Sequence, residues 1–121
     1  MTVRRVVPDI TTQDPGATRD FYVDLIGLEV VMDLGWVVTY ASPANPTAQV
    51  TVTQAAMPEI TPNMTIEVTD VDGVHAQAIG RGDDIVYPLT DEPWGVRRFF
   101  VRDPNGVVVN VLEHREASRH N

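Results

Sequence analysis

Residues 14–30 read Asp14-Pro15-Gly16-Ala17-Thr18-Arg19-Asp20-Phe21-Tyr22-Val23-Asp24-Leu25-Ile26-Gly27-Leu28-Glu29-Val30. Asp14 can accept hydrogen bonds from the first free backbone N–H groups of a helix, and Pro15 suits the first helical position. Ala17, Phe21 and Leu25 recur every fourth residue, with Tyr22 and Ile26 beside them, which predicts one apolar helical face. Gly27 supplies the stop, because glycine tolerates the positive φ of a helix C-terminus. A second helix opens near Asp70, with Val71, Val74 and Ala78 as its stripe and His75 at the stripe's edge. Gly80 and Gly82 can close it, and Arg81 complements the negative end of its dipole.

Strand-forming segments flank both helices. Val3–Ile10 precedes the first, and Leu28–Met32, Trp36–Ala41 and Gln49–Thr53 follow it. Met64–Thr69 precedes the second, and Ile85–Tyr87, Val96–Arg102 and Val107–Leu112 follow it. All are rich in Val, Thr, Ile and aromatic residues. The chain therefore repeats the order strand, helix, strand, strand, strand. Helix-ending glycines, the glycine-flanked Trp36 and Trp94, and the turns Ser42–Pro46 and Asp103–Gly106 fall at matching places. The predicted fold is α+β, with two βαβββ modules in a single domain over 1–121. Module 1 spans 1–55, a proline-bearing linker 56–62, module 2 63–114 and a polar tail 115–121.

Composition narrows the function. In 121 residues, 43% are hydrophobic and 21% charged, a globular balance for one domain. No apolar run reaches the roughly 20 residues that span a bilayer, and the N-terminus lacks the apolar stretch of a signal peptide. Cytoplasmic residence is the expectation, with no membrane partner. The net charge of −8 argues against nucleic acid, whose phosphates call for Lys and Arg. The absence of cysteine removes disulfides, zinc–thiolate sites and thiol nucleophiles. The two serines, Ser42 and Ser118, lie in a turn and in the tail.

Several pieces together resemble the vicinal oxygen chelate superfamily, the glyoxalase/bleomycin resistance/dioxygenase proteins. They are Asp20-Phe21-Tyr22 with Leu25-Ile26-Gly27-Leu28-Glu29-Val30, then Ile66–Asp72, Pro93-Trp94-Gly95, and Phe99–Gly106 with its Asp103-Pro104-Asn105-Gly106 turn. The resemblance covers nearly the whole chain. It implies mixed sheets that curl around a central cavity, with modules pairing within one chain or across a homodimer. In metal-dependent members, four cavity positions carry His, Gln or Glu. The resemblance carries these onto Val7, Thr51, Asn63 and Asn110. Valine has no donor atom, and a threonine hydroxyl or asparagine amide is a weak neutral donor, so no metal and no other cofactor are expected.

A displaced cluster of Asp9, Glu67 and His114 is an alternative, as is metal-free acid–base chemistry by Asp9 or Glu67. His114 otherwise reads as solvated, Glu67 as a strand-end polar residue and Glu113 as outward-facing. The expected ligand wall is Val7, Asp9, Thr51, Thr53, Asn63, Thr65, Asn110 and Leu112, joined by Trp36, Tyr40, Trp94 and Arg98. Aromatic faces can stack on a planar ligand, and an arginine can join them or bind a carboxylate. The plainer alternatives are core packing for the tryptophans and surface ion pairs for Arg97, Arg98 and Arg102. Two functions follow. One is a metal-free protein that binds a small organic ligand and sequesters a drug or metabolite, similar to the bleomycin-resistance branch. The other is a lyase or dioxygenase-type enzyme of the same superfamily, metal-free or with a displaced metal. A pure interaction module would instead fill its pocket with its own side chains.

Overall fold

The computed structural model describes residues 1–54 and 61–115. Most of the expected linker and of the tail lies outside the described residues. The chain forms two compact units. One runs from Val7 to Thr61; the other joins Met1–Val6 to the residues from Pro62 onward.

The first unit takes the inner part of β1 (Val3–Thr12) with β2 (Glu29–Asp33), β3 (Val37–Ala41) and β4 (Gln49–Gln54). Strand β1 pairs in parallel with β4, aligning Asp9 with Thr51 and Thr11 with Thr53. Strand β3 runs antiparallel to both β4 and β2. Its register sets Thr39 across from Thr51 and Tyr40 across from Val50.

Between β1 and β2 the expected α-helix is absent. A short 3₁₀ turn, Pro15–Thr18, is followed by a π-helical segment, Asp20–Leu25. The Thr18 hydroxyl donates to the Pro15 carbonyl at 2.7 Å, competing with helical backbone bonding. The Ile26 N–H then reaches back five residues to the Phe21 carbonyl. Widening the turn from i→i+4 to i→i+5 changes which residues point inward. Tyr22 and Val23 pack against the core of Val38, Tyr40, Val50 and Val52. The predicted stripe is instead turned out: Phe21 is 52% exposed and Leu25 70%. Gly27, at φ +93°, reverses the chain into β2.

The second unit follows the same plan with a regular helix. Strand β5 (Met64–Val68) leads into α1 (Val71–Arg81), then β6 (Asp84–Glu92), β7 (Val96–Arg102) and β8 (Val108–His114). Strands β5 and β8 are parallel, with Thr65 aligned to Asn110. Strands β8, β7 and β6 follow antiparallel. The Asp70 side chain caps α1 by accepting from the Gly73 N–H at 3.0 Å, and Gly82 ends it at φ +80°. Glu113 lends a second acceptor to this helix start, at 3.1 Å from the Val71 N–H.

The core lies between α1 and one sheet face: Val71 and Ala78 meet Val68, Phe99 and Val111. His75 packs edge-on against Phe99, with ring centres 4.9 Å apart. Strand β6 is an edge and carries Pro88, where a missing N–H does least harm. The first residues of the chain belong to this unit. Thr2 and Thr69 exchange hydrogen bonds, and Arg5 bonds Glu67.

Candidate functional site

Alternation along a strand sends neighbouring side chains to opposite faces. In the second unit Phe99 and Val111 meet the helix, so their neighbours Arg98, Phe100, Asn110 and Leu112 point to the other face. This second face is not a solvated surface. Val96, Phe100, Val108, Asn110 and Leu112 are all buried.

Asn110 is the unusual group there, being only 4% exposed. Its Nδ2 donates to Thr65 Oγ1 at 3.1 Å, whereas its Oδ1 has no hydrogen-bond partner among the described residues. An unpaired buried carbonyl costs about 1–3 kcal/mol, so it marks a point where a donor is wanted.

Beside it, on β7, Arg98 is held in a box. Its Nε donates to Glu92 Oε2 at 2.7 Å, and the same oxygen accepts from the Tyr87 hydroxyl at 2.7 Å. The guanidinium carbon lies 4.9 Å from the ring centre of Phe100, 5.2 Å from Trp94 and 5.3 Å from Tyr87. All three distances are within cation–π range. Trp94 sits in the turn between β6 and β7 and is 42% exposed.

Further along the same face, His114 Nδ1 and Glu67 Oε2 are 2.9 Å apart. Glu67's other oxygen is bound by Arg5, and Arg4 lies 3.8 Å from the first. Burial pushes the Glu67 carboxyl up. The hydrogen bonds and charges of His114 and Arg5 outweigh it, and the net shift is downward. His114 is exposed, as expected, and is also bonded to Glu67. Glu67 is the anchor of a charged cluster rather than a lone strand-end group.

In the first unit, Val7, Asp9, Thr39, Thr51 and Thr53 share the face opposite the π-helical segment. Val7 is buried, and the Thr39 and Thr51 hydroxyls bond each other at 3.1 Å. Trp36 is half exposed just before β3, where its carbonyl accepts from the Gln54 N–H.

Two expected wall residues are placed otherwise. Tyr40 is fully buried on the helix-facing side, 5.3 Å from the Tyr22 ring, and shares a hydrogen bond with Thr18. It is a core residue, because the pairing of Thr39 with Thr51 fixes the opposite phase for Tyr40. Asn63 lies just outside β5 and is exposed. Its Oδ1 accepts from the Val108 N–H at 3.1 Å, so the side chain joins the β5 and β8 ends together. Thr65, one pleat further on, is the residue paired with Asn110. Three residues around Arg98 were not anticipated: Tyr87, Glu92 and Phe100. Only Phe100 had a readable signal, two positions from Arg98 on one strand.

At the four positions onto which the resemblance carries a metal site, the donor chemistry does not fit one. Val7 offers nothing, Thr51 is bonded to Thr39, Asn63 is bonded to the β8 backbone, and Asn110 offers one neutral oxygen. Among the described residues, no three His, Asp or Glu side chains are grouped to hold a metal ion. That includes Glu67 and His114, whose surroundings supply arginines and not a third ligand.

Two units of one βαβββ-type plan, each with a parallel first–last strand pair, define a paired-module α+β protein. The family is then direct: residues 3–111 match the Glyoxalase/Bleomycin resistance protein/Dioxygenase superfamily, and the chain belongs to it. No curated protein matches the sequence. Solved structures share the fold. A superfamily member from Vibrio splendidus is 20% identical with a TM-score of 0.69, covering 93% of this chain and 99% of that one. A methylmalonyl-CoA epimerase variant from Streptomyces coelicolor is 18% identical with a TM-score of 0.67, over 93% and 99%. An Mn(II)-bound glyoxalase from Novosphingobium aromaticivorans is 23% identical with a TM-score of 0.63, over 92% of this chain and 38% of that one.

Proposed function

We propose that this protein is a metal-free small-molecule-binding member of the superfamily, acting by sequestering a drug or metabolite. The observation that carries the reading is Asn110: a buried amide with an unpaired acceptor, on a sheet face lined by Arg98, Phe100 and Leu112. Apolar walls with a few unpaired polar atoms are the usual make-up of small-molecule sites. The donor set at Val7, Thr51, Asn63 and Asn110 supports binding without a metal. Metal analysis after incubation with Ni, Zn, Fe and Mn should find none at stoichiometric level, and one tightly held ion per chain would overturn the reading. A thermal-shift screen of antibiotics and aromatic metabolites should raise the melting temperature with a subset of them.

The second reading, a metal-free enzyme, is favoured by one observation. Glu67 orients His114 through Nδ1, which leaves Nε2 for proton transfer. His114→Gln separates the two. It would abolish turnover of an enzyme and leave a sequestering protein's affinity nearly unchanged.

Two further elements belong to the proposal. Homodimerisation is supported by exposed Phe21, Leu25, Ile26, Leu34 and Trp36 in the first unit. Sedimentation should give twice the monomer mass. Cytoplasmic residence is supported by the absence of cysteine and, among the described residues, of any helix long and apolar enough to cross a membrane. Fractionation of cells should place the protein with the cytoplasmic contents.

A further inference from the structure

We infer that Arg98 is the specificity-determining residue of this site, and that the ligand class is a planar aromatic carboxylate carrying an O–H or N–H donor. The inference rests on the binding reading above and narrows it to a chemistry.

Consider what Arg98 has left to offer. A guanidinium carries five N–H donors arranged in a plane. Glu92 takes the one on Nε. No hydrogen bond among the described residues reaches either η nitrogen. Three aromatic rings crowd the guanidinium within cation–π range. Rings packed in this way favour bonding along the guanidinium's own plane, at its η edge. Two parallel donors on that edge match the two oxygens of a carboxylate, the bidentate geometry that arginine favours.

The edge is also held still. Glu92 Oε2 is fixed by the Tyr87 hydroxyl as well as by Arg98, and the Glu92 side chain is only 9% exposed. Little rotamer freedom remains to be lost when an anion docks. An arginine whose role was a surface ion pair would need neither three rings nor a buried, doubly bonded carboxylate.

The rest of the ligand follows from the neighbours. Trp94 is half exposed beside the guanidinium and offers a stacking surface, which calls for a flat, π-rich body. Asn110 lies across from Phe100, one pleat from Arg98 on the same face. Its Oδ1 is an acceptor without a donor, which calls for a hydroxyl or an amine on the ring. Arg98 and Asn110 thus ask for opposite things, an acceptor and a donor, on one planar molecule.

The test is calorimetric titration of the full chain with para-hydroxybenzoate, indole carboxylate and a hydroxynaphthoate, each beside its methyl ester. At least one acid should bind roughly tenfold more tightly than its ester, the scale of a bidentate charged pair. Arg98→Lys should remove that preference, while Trp94→Phe should keep it. The acid–ester comparison on the unaltered protein stands even if the Arg98 variant does not fold.

Esters binding as well as acids would overturn the carboxylate assignment and leave the binding reading intact, as would tight binding of neutral compounds alone. Retention of the preference in Arg98→Lys would overturn the role of Arg98. Failure of every acid, together with a thermal-shift screen that finds no ligand of any class, would remove both the assignment and the binding reading beneath it.

Discussion

Replacing Asn110 with leucine tests whether the buried amide serves binding or folding. Leucine keeps the branching at Cγ and removes both polar atoms. Three contributions decide the outcome. The unpaired Oδ1 disappears, which relieves about 1–3 kcal/mol of desolvation. The 3.1 Å bond from Nδ2 to Thr65 Oγ1 is lost, at about 0.5–1.5 kcal/mol. Apolar atoms then fill a buried position between Phe100 and Thr65, worth about 1 kcal/mol after some overpacking is deducted.

The sum favours the variant by roughly 2 kcal/mol, and for a chain of this size the melting temperature should rise by roughly 5–10 °C. Urea denaturation followed by circular dichroism is the assay, with the midpoint rising and the slope unchanged. The same variant should lose the thermal shift produced by any ligand found in the screen. A variant less stable than the parent by more than about 1 kcal/mol would show that the carbonyl makes a structural bond in the folded chain. Asn110 would then be a structural residue, with no binding role.

Other expectations are simpler. Glu67 has a carboxyl held below its ordinary value of 4.5, so its contribution to stability is complete above that pH and is lost as pH falls through the lower folded value. Acid denaturation should therefore steepen below about pH 4.5, and Glu67→Gln should flatten that part of the curve; an unchanged profile would contradict the cluster with Arg5 and His114. Asp70→Ala removes the acceptor for the Gly73 N–H and should cost about 1 kcal/mol by urea denaturation, with fraying confined to the start of α1 in hydrogen exchange. Phe99→Ala empties a fully buried position between α1 and the sheet and should cost about 3–5 kcal/mol, a large part of a typical domain's stability.

What the sequence disclosed depended on how local the deciding interaction was. The bounds of α1 were readable because Asp70 and Gly82 act within one turn of the residues they cap. The repeated strand order was readable because β-branched runs and turn residues recur in step. A 3.6-residue period does not describe the first helical segment, because the bond from Ile26 back to Phe21 sets a wider one. The face taken by Tyr40 is hidden in the sequence for a different reason. All five residues of β3 are buried, so alternation of polar and apolar residues gave no sign of which face each one takes. Glu92 and Tyr87 do not read as neighbours in the sequence, because they are five positions apart on β6. In a regular strand that spacing would put them on opposite faces. Register shifts around Pro88 bring both to Arg98, and such irregularities are set by the partner strand and not by β6 alone.

The two units place different chemistry on one scaffold. At the matching points of the parallel strand pairs, the first unit sets Asp9 beside Thr51 and the second sets Thr65 beside Asn110. Thr51 is answered from within its own sheet, by the Thr39 hydroxyl. Among the described residues the Asn110 carbonyl has no such neighbour, and the residue across from it on β7 is Phe100, which has nothing to donate. Threonine opposite threonine closes a polar pair; phenylalanine opposite asparagine leaves one open. A fold kept only for its stability has no use for the second arrangement, since an apolar residue at 110 would serve better. Under the binding reading proposed above, this buried unpaired acceptor, one pleat from Arg98, is the group a ligand donor would satisfy.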